Sequence, residues 1–85
     1  MRYLTKAFLD YYRLAMDNIT SDSLYEMLTV GTLLSEFCCE NGFYEEALKY
    51  CSVVLDIFSK IPAEERMKKK LEKLQGIKKM LEQNE

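Results

Sequence analysis

The sequence predicts an all-α domain of four antiparallel helices. The 85 residues include only three glycines and one proline, so few positions break a helix. Apolar residues recur at steps of three and four, which is the period of one helix face. Short polar connectors separate four such segments, at about 2–18, 22–41, 43–59 and 62–83. The length fits one helical domain that spans residues 1–85.

The first helix, about 2–18, is predicted from a single apolar stripe with charged residues between its members. The stripe consists of Leu4, Phe8, Tyr11, Tyr12 and Ala15.

The second helix, about 22–41, begins at a predicted capping box of Ser23 and Glu26, with Ser21 or Asp22 as competing caps. Its apolar face is wide, which predicts a central helix with neighbours on two sides. That face consists of Leu24, Met27, Leu28, Leu34, Phe37 and Cys38.

The third helix, about 43–59, follows directly on Gly42, which can close the preceding helix in the left-handed conformation. Glu45 and Glu46 lie in its first turn, where negative charge suits the helix dipole. Its apolar positions are Ala47, Tyr50, Cys51, Val54, Leu55 and Phe58.

The fourth helix, about 62–83, is predicted to have Pro62 in its first turn. Its apolar stripe is narrow, and six lysines cover the remaining faces, so we expect an exposed helix with one docked face. The stripe consists of Met67, Leu71, Leu74, Ile77 and Leu81.

Residues 28–61 resemble one unit of the tetratricopeptide repeat (TPR), a family of protein-binding helical hairpins. The residues that support the resemblance are Leu34, Ser35, Gly42, Tyr44, Ala47, Val54 and Leu55. The sequence departs from the repeat at Gly31, Cys38 and Cys51, where aromatic residues are usual, and its closing proline comes late. An ordinary antiparallel four-helix bundle is the alternative interpretation.

The resemblance implies a fold and a function. Residues 2–18 would be the last helix of a preceding unit, and residues 62–83 would be a capping helix. The chain would act as an adaptor or assembly subunit that binds a protein or peptide in the groove lined by its second helix. The groove residues implied are Thr29, Thr32, Glu36, Cys39 and Glu40. Because Glu36 and Glu40 are acidic, a basic or neutral partner is expected.

Other functions have less support. A structural homo-oligomer is the first alternative, and a nucleic-acid-binding domain that uses the basic fourth helix is the second, although nucleic acid is not the expected partner. The chain has no histidine, and its three cysteines lack the usual zinc spacing, so we expect no enzyme, metal or cofactor. The odd number of cysteines favours a reducing, cytoplasmic location, and no apolar run is long enough to span a membrane.

Overall fold

The computed structural model describes residues 2–83, with side chains from residue 5 onward, so Leu4 of the predicted stripe lies outside the described side chains. Within these residues the chain forms four helices and no strand, which confirms the all-α prediction. The helices are α1 (Arg2–Asp17), α2 (Ser21–Glu40), α3 (Tyr44–Lys60) and α4 (Glu65–Gln83). None of the helices in this part of the chain has the length and apolar character that a membrane span requires.

Helix α2 is the centre of the domain, because it packs against each of the other three helices. Helix α3 packs against α2 and α4. A short turn joins α2 to α3, and Ser35 shares a side-chain hydrogen bond with Cys51 while Gly31 faces Val54. Because these pairs rise along one helix and fall along the other, the two helices run antiparallel.

Helices α2 and α4 run in the same direction. Asp22 and Arg66 form an ion pair near the start of both helices, and Glu36 and Lys73 form another farther along both. The parallel pair leaves the outer faces of α2 and α4 side by side. This placement combines residues that are more than 30 positions apart in the sequence.

One hydrophobic core joins the four helices, and α4 contributes to it at intervals of seven residues. Met67, Leu74 and Leu81 of α4 are buried, whereas the other two members of its predicted stripe are half-buried. The remaining core residues are Phe8, Ala15, Leu24, Met27, Leu28, Leu34, Cys38, Ala47, Cys51, Val54 and Phe58.

The cap of α2 differs from the prediction. Thr20 has an extended backbone (φ −123°, ψ 159°), and its hydroxyl oxygen accepts a hydrogen bond from the Ser23 backbone N–H at 3.1 Å. The Ser23 hydroxyl accepts one from the Thr20 N–H at 3.2 Å, which completes a capping box. The predicted box of Ser23 and Glu26 is therefore wrong, because Ser23 lies one turn inside the helix.

The turn between α2 and α3 forms as predicted at Gly42, whose φ is +81°. The Phe43 N–H donates to the Cys38 carbonyl at 2.8 Å, and the Gly42 N–H donates to the Cys39 carbonyl at 3.3 Å. These two bonds define a Schellman motif, which satisfies carbonyls that the helix end leaves without partners.

The start of α4 also differs from the prediction, since the helix begins at Glu65 rather than at Pro62. Ile61 is extended (φ −123°, ψ 129°), as a residue before proline prefers. The chain therefore leaves α3 in an extended conformation and becomes helical only after Glu64.

Candidate partner-binding groove

An open groove runs between the outer faces of α2 and α4. Of the five residues implied for partner binding, Thr29, Thr32 and Glu36 line it, and Cys39 and Glu40 do not. Cys39 is half-buried and Glu40 is exposed, farther toward the end of α2. The complete lining is Thr29, Thr32, Leu33 and Glu36 from α2 with Lys69, Lys70 and Lys73 from α4.

The two threonines form part of the α2 wall, and their hydroxyl protons are already used. Thr29 donates to the Tyr25 carbonyl at 2.9 Å, and Thr32 donates to the Leu28 carbonyl at 2.8 Å. Thr32 is also only 4% exposed. A bound segment could therefore use the threonine oxygens only as acceptors.

The groove carries more positive than negative charge, whereas the acidic residues of α2 alone predicted a negative one. Glu36 is the one acidic side chain of the lining, and its Oε1 lies 2.8 Å from the Nζ of Lys73. Lys69 and Lys70 add two further ammonium groups. The expectation was wrong because it considered α2 alone. The prediction of a basic or neutral partner was based on an acidic groove, so the observed charge no longer supports it.

A polar network joins the start of α4 to the start of α2. The Arg66 guanidinium lies 4.6 Å from the centre of the Tyr25 ring, 2.7 Å from the Ser21 hydroxyl and 3.1 Å from Asp22. Its hydrogen bond with Asp22 is the main cause that raises the pKa of Arg66. Glu64 also bonds to the Ser21 hydroxyl. The network links the starts of the two groove walls through residues that are distant in the sequence, so no local pattern indicates it.

The cysteines show no sign of chemical activation. Burial raises the pKa of the Cys39 thiol, and the carboxylates of Glu36 and Glu40 raise it further. Burial is also the largest cause that raises the pKa of Cys38 and of Cys51. The three cysteines, all within the described residues, form no disulfide, and those residues contain no acidic, cysteine or histidine cluster suited to a metal. Protonated thiols are poor nucleophiles at neutral pH.

A second groove lies between α1 and α3 and has the opposite chemistry. Phe8 forms its aromatic centre, with the Tyr50 ring edge-on at 5.5 Å and the Tyr12 ring at 6.2 Å. Lys49 is its one charged lining residue. The complete lining is Thr5, Phe8, Leu9, Tyr12, Lys49, Tyr50 and Val53. The apolar stripe of α1 was predictable from the sequence, but its pairing with Tyr50 and Val53 of α3 was not.

Comparison of the chain with family models, with curated proteins and with solved structures finds no match.

Proposed function

We propose that this chain is a protein-interaction module of the TPR-like class, and that the α2–α4 groove holds a segment of its partner. It acts by binding rather than by catalysis, as an adaptor or assembly subunit in a reducing intracellular compartment. The observation that most supports this proposal is the groove itself, which is open, lined by charged and hydroxyl-bearing side chains around Leu33, and formed by two parallel helices.

The arrangement of helices fits the repeat-like interpretation. A repeat unit of this kind is a helical hairpin that stacks on its neighbours, with small residues where its helices meet. Here α2 and α3 form the hairpin and α4 runs parallel to α2. Ala47 is fully buried, and a Cβ atom added to Gly31 would lie 2.8 Å from the Cγ2 of Val54.

The groove also has an exposed apolar contact point. Leu33 is 51% exposed on the α2 wall, between the threonines and Glu36. A partner that covers Leu33 would bury an apolar contact inside a polar rim, which is how protein interfaces are arranged. The cysteines, by contrast, offer no activated nucleophile.

A displayed library of random 12-residue peptides provides the test, with selected peptides then titrated against three proteins. Leu33→Asp removes the apolar anchor and adds a charge in the groove, so we expect it to weaken binding at least tenfold. Leu14→Asp is the matched control, because Leu14 is 52% exposed on α1 and does not line the groove. Equal losses in the two variants, or selected peptides that bind both variants like wild type, would contradict the groove assignment.

A structural homo-oligomer is the second candidate, and the surface of α1 favours it. Leu9, Leu14 and Met16 are 46%, 52% and 39% exposed on this helix, and Ile19 just beyond it is 60% exposed. A second copy of the chain could cover these exposed apolar side chains, as an oligomer interface does. Light scattering at increasing concentration distinguishes the candidates. A stable dimer that Leu14→Asp dissociates would favour the oligomer, and a monomer would favour the adaptor.

A further inference from the structure

We propose that the α2–α4 groove selects a partner segment rich in glutamate or aspartate through its lysines, and that Glu36 opposes this binding, so that only a segment with several carboxylates binds. The inference rests on the proposed function, because it concerns the same groove. The Glu36 carboxylate forms an ion pair with the Lys73 ammonium group. A carboxylate of the bound segment replaces Glu36 in this pair.

The lysines of α4 provide the charge complementarity. Lys69 and Lys73 are one helical turn apart, so their side chains project from the same face about 6 Å apart. In an extended peptide, side chains on one side repeat every two residues, at about 6.8 Å. An acidic residue at every second position therefore matches the two ammonium groups.

The Glu36–Lys73 ion pair is suited to exchange. Its Oε1–Nζ distance is 2.8 Å, yet the Lys73 side chain is 57% exposed and that of Glu36 is 30% exposed. A half-exposed ion pair is weak in water, so a ligand carboxylate can replace its acidic member. Glu36 thereby opposes every anionic ligand, and only a segment with several carboxylates overcomes this opposition.

A protein segment fits the groove better than a nucleic acid does. Proteins that bind single-stranded nucleic acids commonly combine a basic groove with aromatic side chains on which the bases stack. The groove lining contains no aromatic residue, and the neighbouring Tyr25 ring is covered by Arg66 at 4.6 Å. Ammonium groups beside threonines and one leucine are suited to carboxylates with short apolar neighbours.

The experiment titrates the full chain with two 12-residue peptides, one alternating Glu and Thr and the other alternating Gln and Thr, both with blocked termini. Blocked termini ensure that only side-chain carboxylates are tested. We expect the Glu peptide to bind at least tenfold more tightly than the Gln peptide, and to lose affinity as salt increases. We expect Lys69→Gln to lower the affinity for the Glu peptide about two- to fivefold. Lys79 lies outside the groove lining, so Lys79→Gln should leave this affinity unchanged.

The decisive variant is Glu36→Gln. It frees Lys73 from its ion pair and removes a charge of the same sign as the peptide. We therefore expect it to raise the affinity for the Glu peptide about two- to fivefold. Glu40→Gln is the matched control, since Glu40 follows one turn later on α2 and lies outside the groove lining, and it should not change affinity. Weaker binding by Glu36→Gln, or equal gains in both variants, would overturn the role of Glu36.

The other outcomes separate this inference from the proposed function. Library-selected peptides that bind the groove, together with equal affinity for the Glu and Gln peptides, would overturn the acidic selectivity and leave the interaction module standing. If no peptide of any kind binds, both proposals fail. Tighter binding of a single-stranded RNA 12-mer that Lys69→Gln weakens would replace the acidic segment with a nucleic acid.

Discussion

The α2–α3 hairpin and helix α4 belong to one domain but are held in place in different ways. The hairpin is closely packed: Gly31 admits Val54 of α3, and the fully buried Ala47 and Ser35 lie between the helices. Helix α4 inserts three large side chains into the core and exposes lysines elsewhere. Steric fit thus defines the hairpin, whereas α4 is held mainly by apolar contacts spaced seven residues apart, and the exposed ion pairs around Arg66 add little.

The difference indicates which surface is available for function. Substitutions in the hairpin interface change stability, because no space is left for added atoms. The exposed faces of α4 and α2 can change without disturbing the core. Substitutions in the hairpin should therefore cost more stability than substitutions at the more open positions.

Gly31→Val should have the largest effect. A Cβ atom at this position would lie 2.8 Å from the Cγ2 of Val54 and 3.1 Å from the Cε1 of Phe8. Both neighbours are buried, and a β-branched valine cannot rotate away easily. We expect a loss of about 2–3 kcal/mol in the free energy of unfolding, measured by urea denaturation. An unchanged denaturation midpoint would show that the hairpin is loosely packed.

Thr20→Ala should have an intermediate effect at the edge of the core. It removes the side-chain oxygen that accepts from the Ser23 N–H at the start of α2. Loss of such a cap lowers stability by about 1 kcal/mol. The control is Ser59→Ala, since the Ser59 hydroxyl bonds only to the Asp56 carbonyl near the exposed end of α3. If Ser59→Ala lowers the melting temperature as much as Thr20→Ala does, the Thr20 cap does not make the expected contribution to stability.

Gly76→Ala should raise stability, which is the opposite of the effect at Gly31. Gly76 is exposed within α4, and a Cβ atom there would have no neighbour within 4 Å. Alanine favours a helix interior over glycine by about 0.5–1 kcal/mol. The same denaturation measurement compares the two glycines directly. If Gly76→Ala is less stable than wild type, this face of α4 is not open as described.

The smallest expected effect is a loss of stability at alkaline pH from the buried thiols. Burial raises the pKa of Cys51 in the folded chain above its value in the unfolded chain. This contribution is fully present below the unfolded pKa, about 8.5, and decreases as pH rises toward the folded value. Denaturation at pH 8 and pH 10 should show a smaller decrease for Cys51→Ala than for wild type. Equal decreases would indicate that this thiol does not contribute.

Local features of the fold could be predicted from the sequence, and features that depend on distant residues could not. The turn at Gly42 was predictable because a left-handed glycine is a local requirement. The cap of α2 was missed because Thr20, Ser21 and Ser23 are all chemically able to cap, and only the backbone geometry chooses among them. The late start of α4 follows from the extended conformation of Ile61, which precedes a proline, and from a helix that begins only three residues after that proline.

Of the two walls of the groove, only the α2 wall could be predicted from the sequence. Thr29, Thr32 and Glu36 follow from helical spacing along α2 together with the resemblance to a repeat. The opposite wall depends on the parallel placement of α4, which brings Lys69 and Lys73 beside them. The sign of the charge in the groove therefore could not be inferred from α2 alone.

Amide chemical-shift mapping during titration with the blocked Glu-Thr peptide shows directly which groove holds an acidic segment. We expect saturable shifts that are largest in residues 29–36 of α2 and 69–73 of α4, with no shifts in α1 or in its groove with α3. Shifts concentrated around Phe8, Tyr12 and Tyr50 would instead assign binding to the aromatic groove and rule out the α2–α4 groove.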